Sequence, residues 1–302
     1  MKILKIFILA ILSFSFSAGC ASAQIDKKKN VNKTTDSQTG RQGKIRERKP
    51  LEFDEGVNLK TLAEGADASL TTPFVFVART PDAFALLQKL VKNLPTEKID
   101  FKRTAVVAAF AGEKNTGGYS VDIAQNAGKI SVKVAAPPKD AMVTQVITSP
   151  YKVALVEAEQ ENSLNLDLSA NFSSLLKNYR LTSGEFEFSG GFAGMQKRFA
   201  AQGTIGVLNW GEYVTMIFNL TGKAGEKKRK LFETASGVMQ DGKINLGRIE
   251  ADDFIDRPHP FLLANGTFSG SKVSLEFVPG KRDYVVNDGY TGGGKLEAVK
   301  IK

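Results

Sequence analysis

The sequence predicts a mostly β protein: an α+β N-terminal domain with one helix on a small antiparallel sheet, then a C-terminal antiparallel meander closed as a barrel or sandwich. Three observations predict it. Residues 165–301 break into short segments of period-two alternation, as in Glu185-Phe-Glu-Phe188 and Val273-Ser-Leu-Glu-Phe277. Turn signals join these segments: Asn209–Gly211, Asp241-Gly242 and Ser269-Gly270. One stretch, Ala83–Leu94, carries apolar residues at sustained helical spacing.

At the N-terminus, Lys2 and Lys5 precede an apolar run, Ile6–Ala18, broken only by Ser13, Ser15 and Ser17. Small residues follow. This is the order of a secretory signal peptide, residues 1–23, and the run is too short for a comfortable membrane span. The expectation is export to the periplasm, the cell envelope or the outside. Two processing sites stand open. Ala21-Ser22-Ala23 is an A-x-A site that would leave Gln24 first. Ser17-Ala18-Gly19-Cys20 resembles a lipobox, with serine where leucine is usual, and would leave Cys20 lipidated and tethered to a membrane. Cys20 is the sole cysteine, so disulfides, a thiolate nucleophile and cysteine-based zinc sites are not expected in the folded body.

Residues 24–58 read as a disordered basic linker. Ile25, Val31 and Ile45 stand almost alone among polar residues, too little apolar surface to offset the entropy of ordering. The formal charge of +9 is concentrated here and in the signal: residues 24–50 hold nine Lys/Arg against three Asp/Glu. The rest of the chain is close to neutral, which argues against nucleic acid as a partner. Residues 20–50 are expected to serve as a membrane tether, an anionic-surface contact or a solvated spacer.

Residues 59–158 form the expected first domain. Pro73–Ala78 reads as a short strand. Thr80-Pro81-Asp82 supplies a cap, a proline at the first helical position and a first-turn acid, so Ala83–Leu94 follows as a helix that Pro95 ends. Thr104–Phe110 is a continuous apolar run suited to a central strand. Ser120–Ile123 and Lys129–Ala135 alternate as strands. Val143–Ile147 and Val153–Glu157 are read as further strands, split by Thr148-Ser-Pro-Tyr151.

The order of motifs here carries a resemblance. Asp100-Phe101 leads into the apolar strand. Gly112-x-Lys114-x-Thr116-Gly-Gly-Tyr119-Ser120 follows, then Pro137-Pro138 and Gln145-Val-Ile-Thr-Ser-Pro150-Tyr151. Over roughly residues 73–157 this resembles the PrcB family, the protease-complex subunit domain. The resemblance implies an exported, non-catalytic module named for a subunit that accompanies an extracellular protease. The candidate recognition residues are Lys114, Thr116, Gly117, Gly118, Tyr119, Pro150 and Tyr151. Rigid scaffolds commonly present binding loops of this kind, and a structural hairpin with Tyr119 in the core is the plainer reading of the same residues. The loop also resembles the Thr-Gly-Tyr loop of chagasin-like peptidase inhibitors, from which the second glycine departs.

Residues 159–302 form the expected second domain. Its strands are Asn165–Phe172, Arg180–Phe188, Phe199–Leu208, Tyr213–Leu220, Lys230–Met239, Lys243–Ile249, Phe261–Phe268, Lys272–Val278 and Lys295–Ile301, with Phe172–Asn178 as a second helical candidate. Asn265-Gly-Thr-Phe268, Ser271–Phe277 and Tyr290-Thr-Gly-Gly-Gly-Lys-Leu296 resemble the last strands of lipocalin-like barrels, an analogy of fold alone. Such a barrel would enclose an apolar ligand or be filled by its own side chains.

Catalytic and cofactor signatures are scarce. His259, the sole histidine, sits in Arg257-Pro-His-Pro260, and no Gly-x-Ser-x-Gly elbow is present. Glu250, Asp252, Asp253 and Asp256 lack the spacing of an EF-hand. The Gly292–Gly294 triplet opens no phosphate loop. Gly222–Lys230 reads as a basic hairpin turn. The expected protein is therefore not an enzyme and takes no cofactor or metal. It acts through a protein partner, with an exported protease the one the resemblance implies. A small apolar-ligand carrier built on the barrel and a peptidase inhibitor built on the Thr-Gly-Gly-Tyr loop are the alternatives.

Overall fold

The computed structural model describes residues 59–96, 98–126, 129–158, 163–190, 195–224, 226–250, 261–280 and 291–302. The signal sequence, Cys20, the basic linker, His259 and the acids 252, 253 and 256 lie outside the described residues. The described elements run β1 (Leu59–Gly65), β2 (Phe74–Ala78), α1 (Pro81–Leu90), β3 (Thr104–Phe110), β4 (Ser120–Asn126), β5 (Lys129–Ala135), β6 (Tyr151–Glu157), β7 (Leu166–Leu168) and α2 (Ala170–Ser173). They continue β8 (Lys177–Gly190), β9 (Met195–Trp210), β10 (Tyr213–Ala224), β11 (Lys227–Gln240), β12 (Lys243–Ile249), β13 (Leu262–Phe268), β14 (Lys272–Pro279) and β15 (Thr291–Lys300).

The first part is three layers deep. An antiparallel sheet in the order β1-β6-β3-β2 lies in the middle. Its central strand β3 is buried at every residue, which accounts for the unbroken Thr-Ala-Val-Val-Ala-Ala-Phe run. On one face, α1 sets Phe84 and Leu87 against Phe76, Val106, Ala108 and Leu155. On the other, a second sheet in the order β4-β5-β7 sets Val121, Ile123, Ile130 and Val132 against Val75, Val107 and Ala154. The α1 cap forms as its sequence dictates, with Ala83 N donating to Thr80 Oγ1 at 3.1 Å. The helix stops at Leu90, four residues before the expected end. Val91 is already extended and Asn93 takes a left-handed φ of 68°, so Val91 and Leu94 reach the core from outside the helix.

Strands β8 to β15 close an eight-stranded antiparallel up-and-down barrel, each strand pairing with the next and β15 returning to β8. The Asp241-Gly242 turn joins β11 to β12 with both residues at positive φ, 49° and 73°, as a two-residue hairpin of this hand demands. The interior is occupied by side chains. Phe186 lies 5.3 Å from Phe277, 5.6 Å from Phe199 and 6.1 Å from Phe188, centroid to centroid, and Phe218 lies 6.0 Å from Phe277. Around them pack Val214, Met216, Leu231, Leu246, Leu275 and Leu296.

Three expected elements fall out differently. Asn165–Phe172 is not one barrel strand. Its first part is β7, which pairs parallel to β5, and Phe172 on α2 buries under the second sheet. The helical candidate Phe172–Asn178 is helical only at Phe172 and Ser173, the end of α2, and β8 has begun by Lys177. Val143–Ile147 forms no strand. Its alternation is weak, and its backbone is drawn to a neighbouring loop by single bonds instead of a ladder.

The two parts meet along β2, and both lie within one compact unit, Glu47–Lys302. β2 is the last strand of its sheet, so one of its edges would be left unpaired. Hydroxyls on the barrel wall cover it. Val77 N donates to Ser236 Oγ at 2.8 Å, and Thr215 Oγ1 donates to Val75 O at 2.6 Å. Leu208 and Tyr213 of the barrel join the α1 core. Beside them, Arg79 Nη1 donates to Glu233 Oε1 at 3.2 Å, and Leu164 N donates to Glu233 Oε2 at 2.9 Å. Burial pushes the Glu233 carboxyl up to about 8. Arg79 and the Leu164 N–H pull against that rise, and the charge of Glu250 adds to it.

Candidate functional site

Two irregular segments of the first part come together beside β4. One is 112–119, between β3 and β4. The other is 136–149, between β5 and β6. They are joined by backbone bonds at two places. Lys114 N donates to Thr148 O at 2.7 Å and Thr148 N returns to Lys114 O at 2.9 Å. Gly117 N donates to Thr144 O at 2.9 Å. Thr148 Oγ1 adds a bond to Thr116 O at 3.0 Å.

The glycine pair of Thr-Gly-Gly-Tyr has a steric reason. A Cβ on Gly117 would collide with Thr144 Oγ1. Gly118 holds φ +82°, and a Cβ there would stand 2.9 Å from Pro137 Cβ and 3.0 Å from Val143 Cγ1. The two glycines therefore let 136–149 lie directly on the loop. Tyr119 is half-buried, and Lys114 Nζ sits 5.8 Å from its ring centroid while donating to Ala111 O at 2.8 Å. Partial burial lowers the Lys114 ammonium pKa.

The remaining candidate residues lie at the other end of the same connection. Pro150 is buried and its carbonyl accepts from Ala111 N at 2.8 Å. Tyr151 stacks on Phe110 at 6.1 Å and 23°, and its hydroxyl pKa is raised by burial and then by Asp67. The structure thus brings Lys114, Thr116, Gly117, Gly118 and Tyr119 into one braced loop and puts Pro150 and Tyr151 at the start of β6.

What the loop braces is an exposed apolar run. Met142 is fully exposed, at 103%, and Val146 and Ile147 are 60% and 67% exposed. Covering a side chain of this size is favourable by roughly 1.5–3 kcal/mol, so three of them exposed within residues 142–147 reward contact. These residues are absent from the sequence-predicted set because Val143–Ile147 reads as a strand there. The one usable signal was Pro137-Pro138, which breaks β5 and precedes a run with no strict alternation.

Other candidates carry less. Among the described residues no group of three or more His, Cys, Asp or Glu is placed to hold a metal ion. Glu250 is buried against Arg248, which also covers the Phe261 ring at 4.8 Å. The basic hairpin joins β10 to β11, with Arg229 buried and Lys228 and Lys230 exposed. An open groove of about 910 Å³ lies over β12–β15 on the outside of the wall, lined by Asn245, Asn265, Thr267 and Ser274 with the Lys295–Glu276 pair at 3.5 Å.

The order of β3, braced loop, β4, β5, exposed run and β6 is what the sequence comparison also picks out. Residues 105–157 match the family model described as PrcB C-terminal. The matched stretch spans β3 to β6 and contains both segments of the site, while β1, β2, α1 and the barrel lie outside it. No curated protein and no solved structure matches the chain.

Proposed function

We propose that this protein is an exported, non-catalytic accessory subunit that acts by protein contact, with an exported protease as its partner. The observation that carries the reading is the exposed Met142, Val146 and Ile147 run, mounted on the stretch that matches the PrcB C-terminal model. Three apolar side chains held by backbone bonds to a glycine-shaped loop form a contact surface that needs little ordering on binding. The signal-peptide pattern of residues 1–23 supports export, with release at Ala23 or a lipid tether at Cys20. The barrel serves as a rigid mount. The phenylalanines that fill its interior support that role over carriage of an apolar ligand.

The test is retention of peptidase activity. Envelope extract of the native host is passed over the immobilised wild-type protein and over Ile147→Asp. Ile147 is exposed, so the variant keeps the fold. The expected result is casein-cleaving activity held by the wild type and reduced at least tenfold on the variant. Equal retention by both, or by neither, counts against the reading.

A further inference from the structure

Two ion pairs join neighbouring strands on the outer wall of the barrel. Arg198 Nη2 lies 3.7 Å from Glu185 Oε2, and Lys295 Nζ lies 3.5 Å from Glu276 Oε1. The β10–β11 hairpin breaks that pattern. Lys223 and Lys228 are direct partners across the two strands, and both are exposed. Lys230, two residues further along β11, stands on the same face and is exposed as well. Its partner on β10 is Thr221, and the partner of Lys223 on β9 is Ala200. Residues 219–232 hold five Lys/Arg and a single acid, Glu226, which lies in the turn. Like charges set directly opposite on a sheet destabilise it. Among the described residues no ion pair relieves Lys223, Lys228 or Lys230. Phe232 follows on the same face, 36% exposed, with Lys230 Nζ 6.0 Å from its ring centroid.

Three unpaired ammonium groups on one face are complementary to a dense array of negative charge. An exposed aromatic ring beside them suits the boundary between headgroups and acyl chains. We infer that this face of the β10–β11 hairpin docks the protein on an anionic phospholipid bilayer, with Lys223, Lys228 and Lys230 against the lipid phosphates and Phe232 at headgroup depth. Each lysine brought to such a surface adds attraction, and the phosphates relieve the repulsion between Lys223 and Lys228. The chain before β1 has the charge for the same surface. Residues 24–50 hold nine Lys/Arg against three Asp/Glu and follow a signal-peptide pattern. The hairpin lysines stand on strands, so contact through them fixes which side of the barrel faces the bilayer. The inference does not rest on the accessory reading, since no residue of 112–119 or 136–149 enters it.

The test is flotation of the mature chain, from Gln24, with vesicles of phosphatidylcholine alone and of phosphatidylcholine with roughly one quarter phosphatidylglycerol. The expected result is binding to the anionic vesicles only, weakened by salt. Every variant keeps the basic tail, so differences between variants report the folded body. Lys223→Gln/Lys228→Gln/Lys230→Gln should bind at least tenfold more weakly. Lys133→Gln/Lys243→Gln/Lys272→Gln removes the same charge from exposed lysines elsewhere, and Lys243 pairs with Gln240 at the opposite end of β11, so this variant should bind as the wild type does. The hairpin glutamines also remove a repulsion, so Tm at low salt should rise while binding falls. Phe232→Trp should shift its emission to the blue on anionic vesicles and not on soluble polyphosphate, which offers phosphate without an apolar layer. Unchanged binding by the hairpin variant, or equal loss in both triple variants, overturns the inference. So does a lowered Tm in the hairpin variant, an unshifted Phe232→Trp emission on bound vesicles, or hairpin-dependent binding to polyphosphate without binding to vesicles.

Discussion

Val77 donates its backbone N–H to Ser236 Oγ at 2.8 Å, and through that bond the last strand of the sheet is finished by the outer wall of the barrel. Ser236 Oγ is shared further with Thr215 Oγ1 at 2.7 Å, and Thr215 holds Val75 O. Removing one hydroxyl leaves a buried backbone group unsatisfied. Ser236→Ala should cost about 1–3 kcal/mol, and Thr215→Val a similar amount. The double variant should cost less than the sum of the two, because both serve one network. Urea unfolding of the single and double variants checks this.

Stability should fall as pH rises from about 4.5 to about 8. Glu233 holds its proton up to about pH 8 in the folded protein, against 4.5 for an ordinary glutamic acid. Between those values the unfolded chain releases a proton that the folded chain keeps. Stability from this group is therefore full below about pH 4.5, declines as pH rises and is gone above about pH 8. Arg79, Glu250 and the Leu164 N–H face the carboxyl, and the slope reports their combined effect. Urea midpoints at pH 5, 6.5 and 8 should drop for the wild type. In Glu233→Gln that part of the slope should vanish, since glutamine does not titrate.

Gly118→Ala should loosen the exposed run without touching it. Alanine at φ +82° costs more than about 1 kcal/mol, and its Cβ would press on Pro137 and Val143. The expected outcome is faster hydrogen exchange at Gly117 N–H, whose partner is Thr144 O, with the barrel amides unchanged. Equal protection in both proteins would remove the glycine pair from the bracing role.

The barrel should carry nothing. Native mass spectrometry of freshly purified protein is expected to give the bare polypeptide mass, because Phe186, Phe188, Phe199, Phe218 and Phe277 fill the interior. Phe186→Ala should cost about 3–5 kcal/mol and open a void among the rings of Phe188, Phe199 and Phe277. A co-purified lipid on the wild type would refute the filled interior.

Much of the architecture is legible in the sequence. The apolar run of β3 announces a strand buried on both faces, Thr80-Pro81-Asp82 announces α1, and Asp241-Gly242 announces a hairpin. These are local signals. What stays hidden depends on distant partners. Thr215, Thr234 and Ser236 alternate with apolar residues like the wet side of a sheet, and only the docking of β2 and residues 163–164 turns them inward. Leu166–Leu168 reads as the first strand of a barrel because nothing local records that β5 lies beside it. The braced loop is legible from Thr-Gly-Gly-Tyr, and the exposed run on it is not, since Val143–Ile147 has strand-forming composition and no ladder to join.

The seam along β2 also sets the smallest piece of this chain that should stay soluble by itself. A fragment limited to residues 74–157 would keep β3 paired with β2 and β6 but leave the outer edge of β2 bare, with Val77 N and Val75 O facing no wall hydroxyl. Strands in that state pair with copies of themselves. The barrel, which lies outside the match to the family model, is therefore a built-in guard against self-association of the sheet to which β3 and β6 of the matched stretch belong.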